Sequence, residues 1–282
     1  MRLPFVKMHG CGNDYIYIDC FDREITSPAS LAVRLSDRHT GIGADGIVLI
    51  LRPENTARAD AKMRMFNADG SEGAMCGNAI RCVGKYLREN GLTRKTNLRI
   101  ETKSGDRELW LTLENGLVTS VKTDMGRAEL RPEQIPVALP GESVVSRPVI
   151  IGGAEYEITC VSMGNPHAVV FTDDIDALDL RKIGPLFENS PLFPDRVNAE
   201  FAEIIAANEL KMRVWERGSG ETQACGTGAC AAAVAAILTG RCAADTDIRI
   251  HLPGGSLLIR PTPDAVYLTG DCVNVFEGTI EF

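Results

Sequence analysis

Short apolar runs bounded by glycine and polar clusters make up most of this chain, and helical periodicities interrupt them at matching places. Gly46 to Leu51 and Ala61 to Phe66 read as strands, and Ala199 to Ala206 with Leu210 to Trp215 repeat that pair. Alternating segments, LRIETKSGDRELWLTL from Leu98 and DIRIHLPGGSLLIRP from Asp247, read as hairpins. Ser27-Pro28 predicts a capped helix that stops before Gly41, and a second helix is expected over about Asp179 to Glu188. Two further helices follow Cys76-Gly77 and Cys225-Gly226 and end at Gly91 and Gly240.

This order is written twice. At an offset of 149 residues, Lys62-Met63-Arg64 realigns with Lys211-Met212-Arg213, Glu72 with Glu221, Cys76-Gly77 with Cys225-Gly226, and Gly91 with Gly240. These are seven identities over positions 62 to 91, where background usage gives roughly two. With gaps, Gly12-Asn13 corresponds to Gly164-Asn165, Asp37-Arg38 to Asp195-Arg196 and Arg99-Ile100 to Arg249-Ile250. In each half, a strand is expected to end in the Gly-Asn loop and a helix to follow it. The pattern predicts an α+β fold of two pseudo-symmetric domains, 1–124 and 125–271, each a curled, mostly antiparallel sheet around a central helix. The active site is expected in the cleft between them. The last strand, within 272–282, is expected to return to the first domain. The Pro- and Val-rich run 124–150 offers no usable motif.

A net charge of −8 argues against a general nucleic-acid surface. No apolar run approaches the ~18 residues of a membrane span; the longest candidate, Ala229 to Leu238, reads as a buried helix. The N-terminal MRLPFVKMHG lacks a signal-peptide core, so a cytoplasmic protein is expected. Nine cysteines with no Cys-x-x-Cys read as free thiols. His9, His39, His167 and His251 form no metal-ligand cluster in sequence, and no metal is expected. GIGADG at 41 to 46 lacks the strand–helix setting of a dinucleotide loop and reads as a turn.

Among the nine cysteines, Cys76 and Cys225 stand apart because they hold one place in a duplicated unit, each just before a helix. There the dipole and unpaired amides favour a thiolate. The amides of Gly77, Asn78, Gly226 and Thr227 suit an α-carboxylate. Two thiols delivered to opposite faces of one carbon could remove a proton from one side and return one to the other.

At these residues a family becomes recognisable. NADGSEGAMCGNAIR (Asn67 to Arg81) and ERGSGETQACGTGA (Glu216 to Ala229) resemble the signatures of the diaminopimelate epimerase family. HGCGNDY at 9 to 15, MGNPH at 163 to 167 and VNAEF at 197 to 201 follow in family order, so the likeness covers nearly the whole chain. The resemblance implies cofactor-independent interconversion of LL- and meso-2,6-diaminopimelate on the lysine and peptidoglycan route, by a homodimer. It implies Cys76 and Cys225 as base and acid, and Asn13, Asn67, Asn165, Asn198 and Arg217 as substrate ligands. Glu216 and His167 are implied as further catalytic residues that help hold the amino group and tune the site, and Gly77, Asn78, Gly226 and Thr227 as the amides at the carboxylate. The chain departs from the family at Gly46, where many members carry a glutamine ligand. Two alternatives stay open. One is a related two-thiol racemase of histidine, proline or another amino acid. The other is a thiol-redox or amino-acid-binding protein.

Overall fold

The structure is a computed structural model and describes residues 2–281. The chain forms two compact units. One runs from the start of the chain to Asp124 and resumes at Thr269; the other is Met125–Leu268.

In the first unit, β1 (Arg2–Gly10) and β2 (Asn13–Cys20) form a hairpin. Its turn is made by Cys11 and Gly12, both at positive φ (52° and 78°), a conformation that Gly12 adopts without strain. The Gly-Asn segment is therefore the turn of a hairpin, and a second strand precedes the helix. That helix, α1 (Pro28–Ser36), has Ser27 at its N-cap, although the serine side chain makes no capping hydrogen bond. β3 (Gly46–Leu51) lies parallel to β2, and β4 (Ala61–Asn67) lies antiparallel to β3. A short β5 (Glu72–Gly73) folds back on β4 and leads into α2 (Gly77–Glu89). β6 (Asn97–Glu101) pairs parallel with β4, and β7 (Arg107–Glu114) and β8 (Leu117–Asp124) continue the sheet antiparallel.

The second unit repeats this order. β9 (Arg147–Ile151), β10 (Ala154–Ser162) and β11 (Pro166–Phe171) are antiparallel neighbours. After α3 (Leu180–Glu188), β12 (Asn198–Ala206) pairs parallel with β11 and antiparallel with β13 (Glu209–Glu216). β14 (Gly220–Thr222) folds on β13 and feeds α4 (Gly226–Leu238). β15 (Ile248–Leu252) pairs parallel with β13, and β16 (Gly255–Pro261) and β17 (Val266–Gly270) follow. β18 (Val273–Glu281) then pairs antiparallel with β1, as β9 does with β10. Phe282, the end of the expected last strand, lies outside the described residues.

Burial explains the continuous apolar runs. In β3, Val48 and Ile50 pack with Ala79, Ile80, Val83 and Leu87 of α2, while Ile47 and Leu49 join Ala32 and Leu35 of α1. A strand covered on both faces has no polar positions to alternate. Each large aliphatic so buried contributes about 1.5–3 kcal/mol. In α4, ten of thirteen residues are buried, and most of them are alanine or glycine. Small side chains let a sheet curl closely round a helix, which is why this helix lacks an amphipathic pattern. The two central helices place Cys76 and Cys225 at their N-caps. Among the described residues no helix is long and apolar enough to cross a membrane.

Candidate active site

In the first unit, β2 begins with Asn13 beside the head of α2. The Asn13 Nδ2 group donates to Asp45 Oδ2 at 2.8 Å, which leaves Oδ1 facing the helix. That oxygen accepts from Cys76 Sγ at 3.3 Å and from Asn78 Nδ2 at 3.5 Å. Asp45 is held in turn by Arg38 at 3.1 Å, and Arg38 also grips Asp14, which pairs with Lys7 at 2.8 Å. Burial pushes the Asp45 carboxyl up. For Asp14 burial is outweighed by Arg38 and Lys7, which hold its carboxyl low. Cys76 itself is half-buried in extended backbone (φ −133°, ψ 124°), and Gly77 and Asn78 behind it are buried. Asn67 ends β4 opposite Gly46, with its side chain donating to Ser71 Oγ at 3.0 Å. At Gly46 a Cβ would stand 2.1 Å from the Phe66 carbonyl oxygen and 2.8 Å from the Tyr15 ring. The backbone there has closed over the room a longer residue would need.

The second unit assembles a corresponding group. Cys225 caps α4, and its sulfur accepts from the Gly228 amide at 3.4 Å and lies 3.4 Å from the Thr227 hydroxyl. Asn165 Nδ2 donates to Thr227 Oγ1 at 3.3 Å, and Asn165 Oδ1 lies 3.0 Å from His167 Nε2. Asn198 donates to the Pro166 carbonyl at 3.1 Å and accepts from the Arg217 amide at 2.8 Å. Arg217 also donates to the Asp195 carbonyl, and Glu216 accepts from the Thr222 hydroxyl. Gly226 is the buried first residue of the helix.

The expectation that a helix start alone would favour the thiolate is corrected at Cys225. The cysteine is 6 % exposed. Burial, then the Glu216 and Glu200 carboxylates, push its thiol well above the ordinary range, against the smaller pull of Thr227 and Gly228. Desolvation outweighs the dipole where the sulfur is shut away from water.

Strand register extends the repeat beyond the motifs. Tyr15 faces Gly46 as His167 faces Asn198, and Gly46 faces Asn67 on the opposite side of β3. The ionisable residues His167, Glu200 and Glu216 thus stand where the first unit has Tyr15, Val48 and Asn67. Sequence reasoning passed over Asp45 and Glu200. Both lie inside quoted or neighbouring motifs, but their roles depend on which way an asparagine amide points, which no spacing reveals.

The diaminopimelate epimerase family matches residues 5–131 and 159–275. A diaminopimelate epimerase of Acetivibrio thermocellus is 53% identical over 281 residues, covering 99% of each chain. One of Desulfovibrio desulfuricans is 53% identical over 286 residues, covering 99% of this chain and 98% of its own. In fold, the chain is similar to a hydroxyproline epimerase from Agrobacterium vitis. The TM-score is 0.70 at 15% identity, over 99% of this chain and 92% of that one. With the match spanning both halves and each cysteine helix, the chain belongs to the diaminopimelate epimerase family.

Proposed function

We propose that this protein interconverts LL- and meso-2,6-diaminopimelate by direct two-thiol epimerisation, as a step toward lysine and peptidoglycan precursors. The observation that carries the reading is the pair of N-cap cysteines, Cys76 and Cys225, in duplicated half-sites of a chain about half identical to diaminopimelate epimerases.

In the proposed step one cysteine, as thiolate, takes the proton from the substrate α-carbon, and the electron pair of that C–H bond delocalises into the adjacent carboxylate. The other cysteine, as thiol, gives its proton to the opposite face of the carbon. The bond pair returns to carbon, the first cysteine ends as thiol, and the second ends as thiolate. The reverse reaction exchanges the roles, so no external acid, base or oxidant is consumed. The amides of Gly77, Asn78, Gly226 and Thr227 meet charge that develops on the carboxylate. Asn13, Asn67, Asn165, Asn198 and Arg217 are assigned to the second head group, with Arg217 on its carboxylate. Glu216 is assigned to the ammonium side, and His167, buried with both ring nitrogens engaged by Glu200 and Asn165, is assigned to tuning the site from behind Asn165.

The test is proton NMR of LL-diaminopimelate in D₂O with reduced, metal-free protein and no pyridoxal phosphate. Deuterium entering the α-carbon together with meso product, and lost in Cys76→Ala and Cys225→Ala, is the expected result. No exchange by folded wild type would remove this substrate. A cytoplasmic homodimer with no nucleic-acid or membrane partner completes the proposal. Sedimentation at monomer mass under assay conditions would refute the dimer.

A further inference from the structure

The second half-site contains a buried acid that the proposed chemistry does not use. Glu200 lies on β12, and it and His167 are both 0 % exposed. Its counterpart by register is Val48, since Tyr17 faces Val48 as Val169 faces Glu200. One half therefore buries an ionisable side chain where the other packs a valine. Space is shaped around it: a Cβ on Gly228, in the first turn of α4, would stand 2.7 Å from Glu200 Oε1.

Glu200 Oε1 lies 2.7 Å from His167 Nδ1, and His167 Nε2 lies 3.0 Å from Asn165 Oδ1. Asn165 Nδ2 reaches Thr227, whose hydroxyl lies beside the Cys225 sulfur. This chain of contacts restricts the protons. A neutral ring that donated Nδ1–H to a carboxylate would turn a bare Nε2 lone pair toward the amide oxygen. Both contacts are hydrogen bonds only when Nε2 carries a proton. Either the ring is an imidazolium beside a carboxylate, or Glu200 is protonated and donates to Nδ1. In both forms the pair is neutral overall, as its burial requires. Glu200 Oε2 is buried without a hydrogen-bond partner, a poor place for an isolated negative charge. Burial raises the Glu200 carboxyl even against the opposing pull of His167. The titratable groups facing Glu200 are His167 on β11, Glu216 on β13, Cys160 on β10 and Cys225 at the head of α4.

We infer that Glu200 is a positioning residue for the epimerase reaction: through His167 it turns the Asn165 amide so that its NH₂ end faces Thr227, whose hydroxyl lies beside the Cys225 thiol. The first half-site is set the opposite way. There Asp45 takes the NH₂ end of Asn13, and the carbonyl end faces Cys76. Equivalent asparagines thus turn an acceptor to one thiol and a donor to the threonine beside the other.

The inference rests on the proposed function, and its test separates the two. Nitrogen-15 NMR of histidine-labelled full-length protein, without substrate, reads the His167 ring, the one fully buried histidine. A protonated Nε2 at neutral pH is expected; a bare Nε2 there overturns the inference, whatever the variants do. In kinetics with LL-diaminopimelate, Glu200→Leu is expected to lower kcat by about tenfold to a hundredfold with a smaller change in KM, the scale of a misplaced site group. Glu200→Gln, which can still donate to Nδ1, should retain the Nε2 proton and most of the activity. Adding Asn165→Ala to Glu200→Leu should cost no more than Asn165→Ala alone, because both remove one arrangement. Wild-type kcat in Glu200→Leu, or additive losses in the double variant, would overturn the inference. Wild type that exchanges no α-proton would instead sink the functional reading and leave the ring measurement standing as the test.

Discussion

Gly46 stands where the family resemblance leads one to expect glutamine, and the surroundings of this glycine are visible atom by atom. A Cβ there would collide with the Phe66 carbonyl oxygen, a backbone atom that cannot rotate aside, and with the Tyr15 ring. Gly46→Gln is therefore expected to destabilise the first unit by about 1–3 kcal/mol, the usual scale of overpacking. Urea denaturation measures this, and a midpoint equal to wild type would show that the strand pair relaxes freely. Other site residues divide in the same way between what the sequence shows and what it hides. The paired Cys-Gly helix starts and the loop asparagines are legible because the repeat aligns them. The orientation of the Asn13 and Asn165 amides is not, because it depends on Asp45 and His167, brought near by folding. Nor could spacing foretell that Cys225 would be buried enough for desolvation to outweigh its helix.

Among the secondary-structure elements, α3 shows local preference losing to packing. Gly184 sits inside this helix, where alanine would normally be favoured by about 1 kcal/mol. Its missing side chain is filled by the Trp215 ring of β13; a Cβ would lie 2.3 Å from Cδ2. The ring cannot retreat easily, because its Nε1 donates to Glu188 Oε2 at 2.7 Å. Phe187, on the same helix, is wedged edge-on against Tyr156 and Phe201, at centroid distances of 4.8 and 5.4 Å. Glu188 also accepts from the Gly218 amide at 2.9 Å, so the helix supports the turn that carries Glu216 and Arg217. Gly184→Ala is expected to lower the stability of the second unit by about 1–3 kcal/mol despite its better helix propensity. Chemical denaturation followed by Trp215 fluorescence checks the sign, and a stabilised variant would refute it. Long apolar strands such as β3 were legible at this scale because both faces are buried. The alternating hairpins β6–β7 and β15–β16 were legible too, but two others were not. Asn115-Gly116, at φ 51° and 82°, and Gly152-Gly153, at 60° and 85°, join β7 to β8 and β9 to β10. These are ordinary signals for tight turns, and they mark β9 as a strand beginning at the end of the run 124–150.

Over the whole molecule, the buried thiols set a limit on the alkaline side. Cys20 is 6 % exposed and Cys160 1 % exposed. Burial, followed by nearby carboxylates, pushes Cys20 up to about 11 and Cys160 up to about 12. Burial raises Cys82 and Cys225 as well, so both units contain such groups. In the unfolded chain a cysteine ionises near 8.5. Below that pH both states hold the proton and the native state keeps its full advantage. Above it the unfolded chain releases protons that the native state retains, so stability falls as pH rises toward the folded values. Between pH 8.5 and 10 the loss is about 2 kcal/mol for each of Cys20 and Cys160, taking one pH unit as about 1.4 kcal/mol. Urea midpoints under strong reductant should therefore be lower at pH 10 than at pH 7.5 in both units. Replacing Cys160 with alanine removes one of the groups responsible, so the second unit's stability should then depend less on pH even if its value at pH 7.5 is reduced. A pH-independent midpoint in the wild type would mean that water reaches these thiols in the native state, and a variant with undiminished pH dependence would clear Cys160 of the effect.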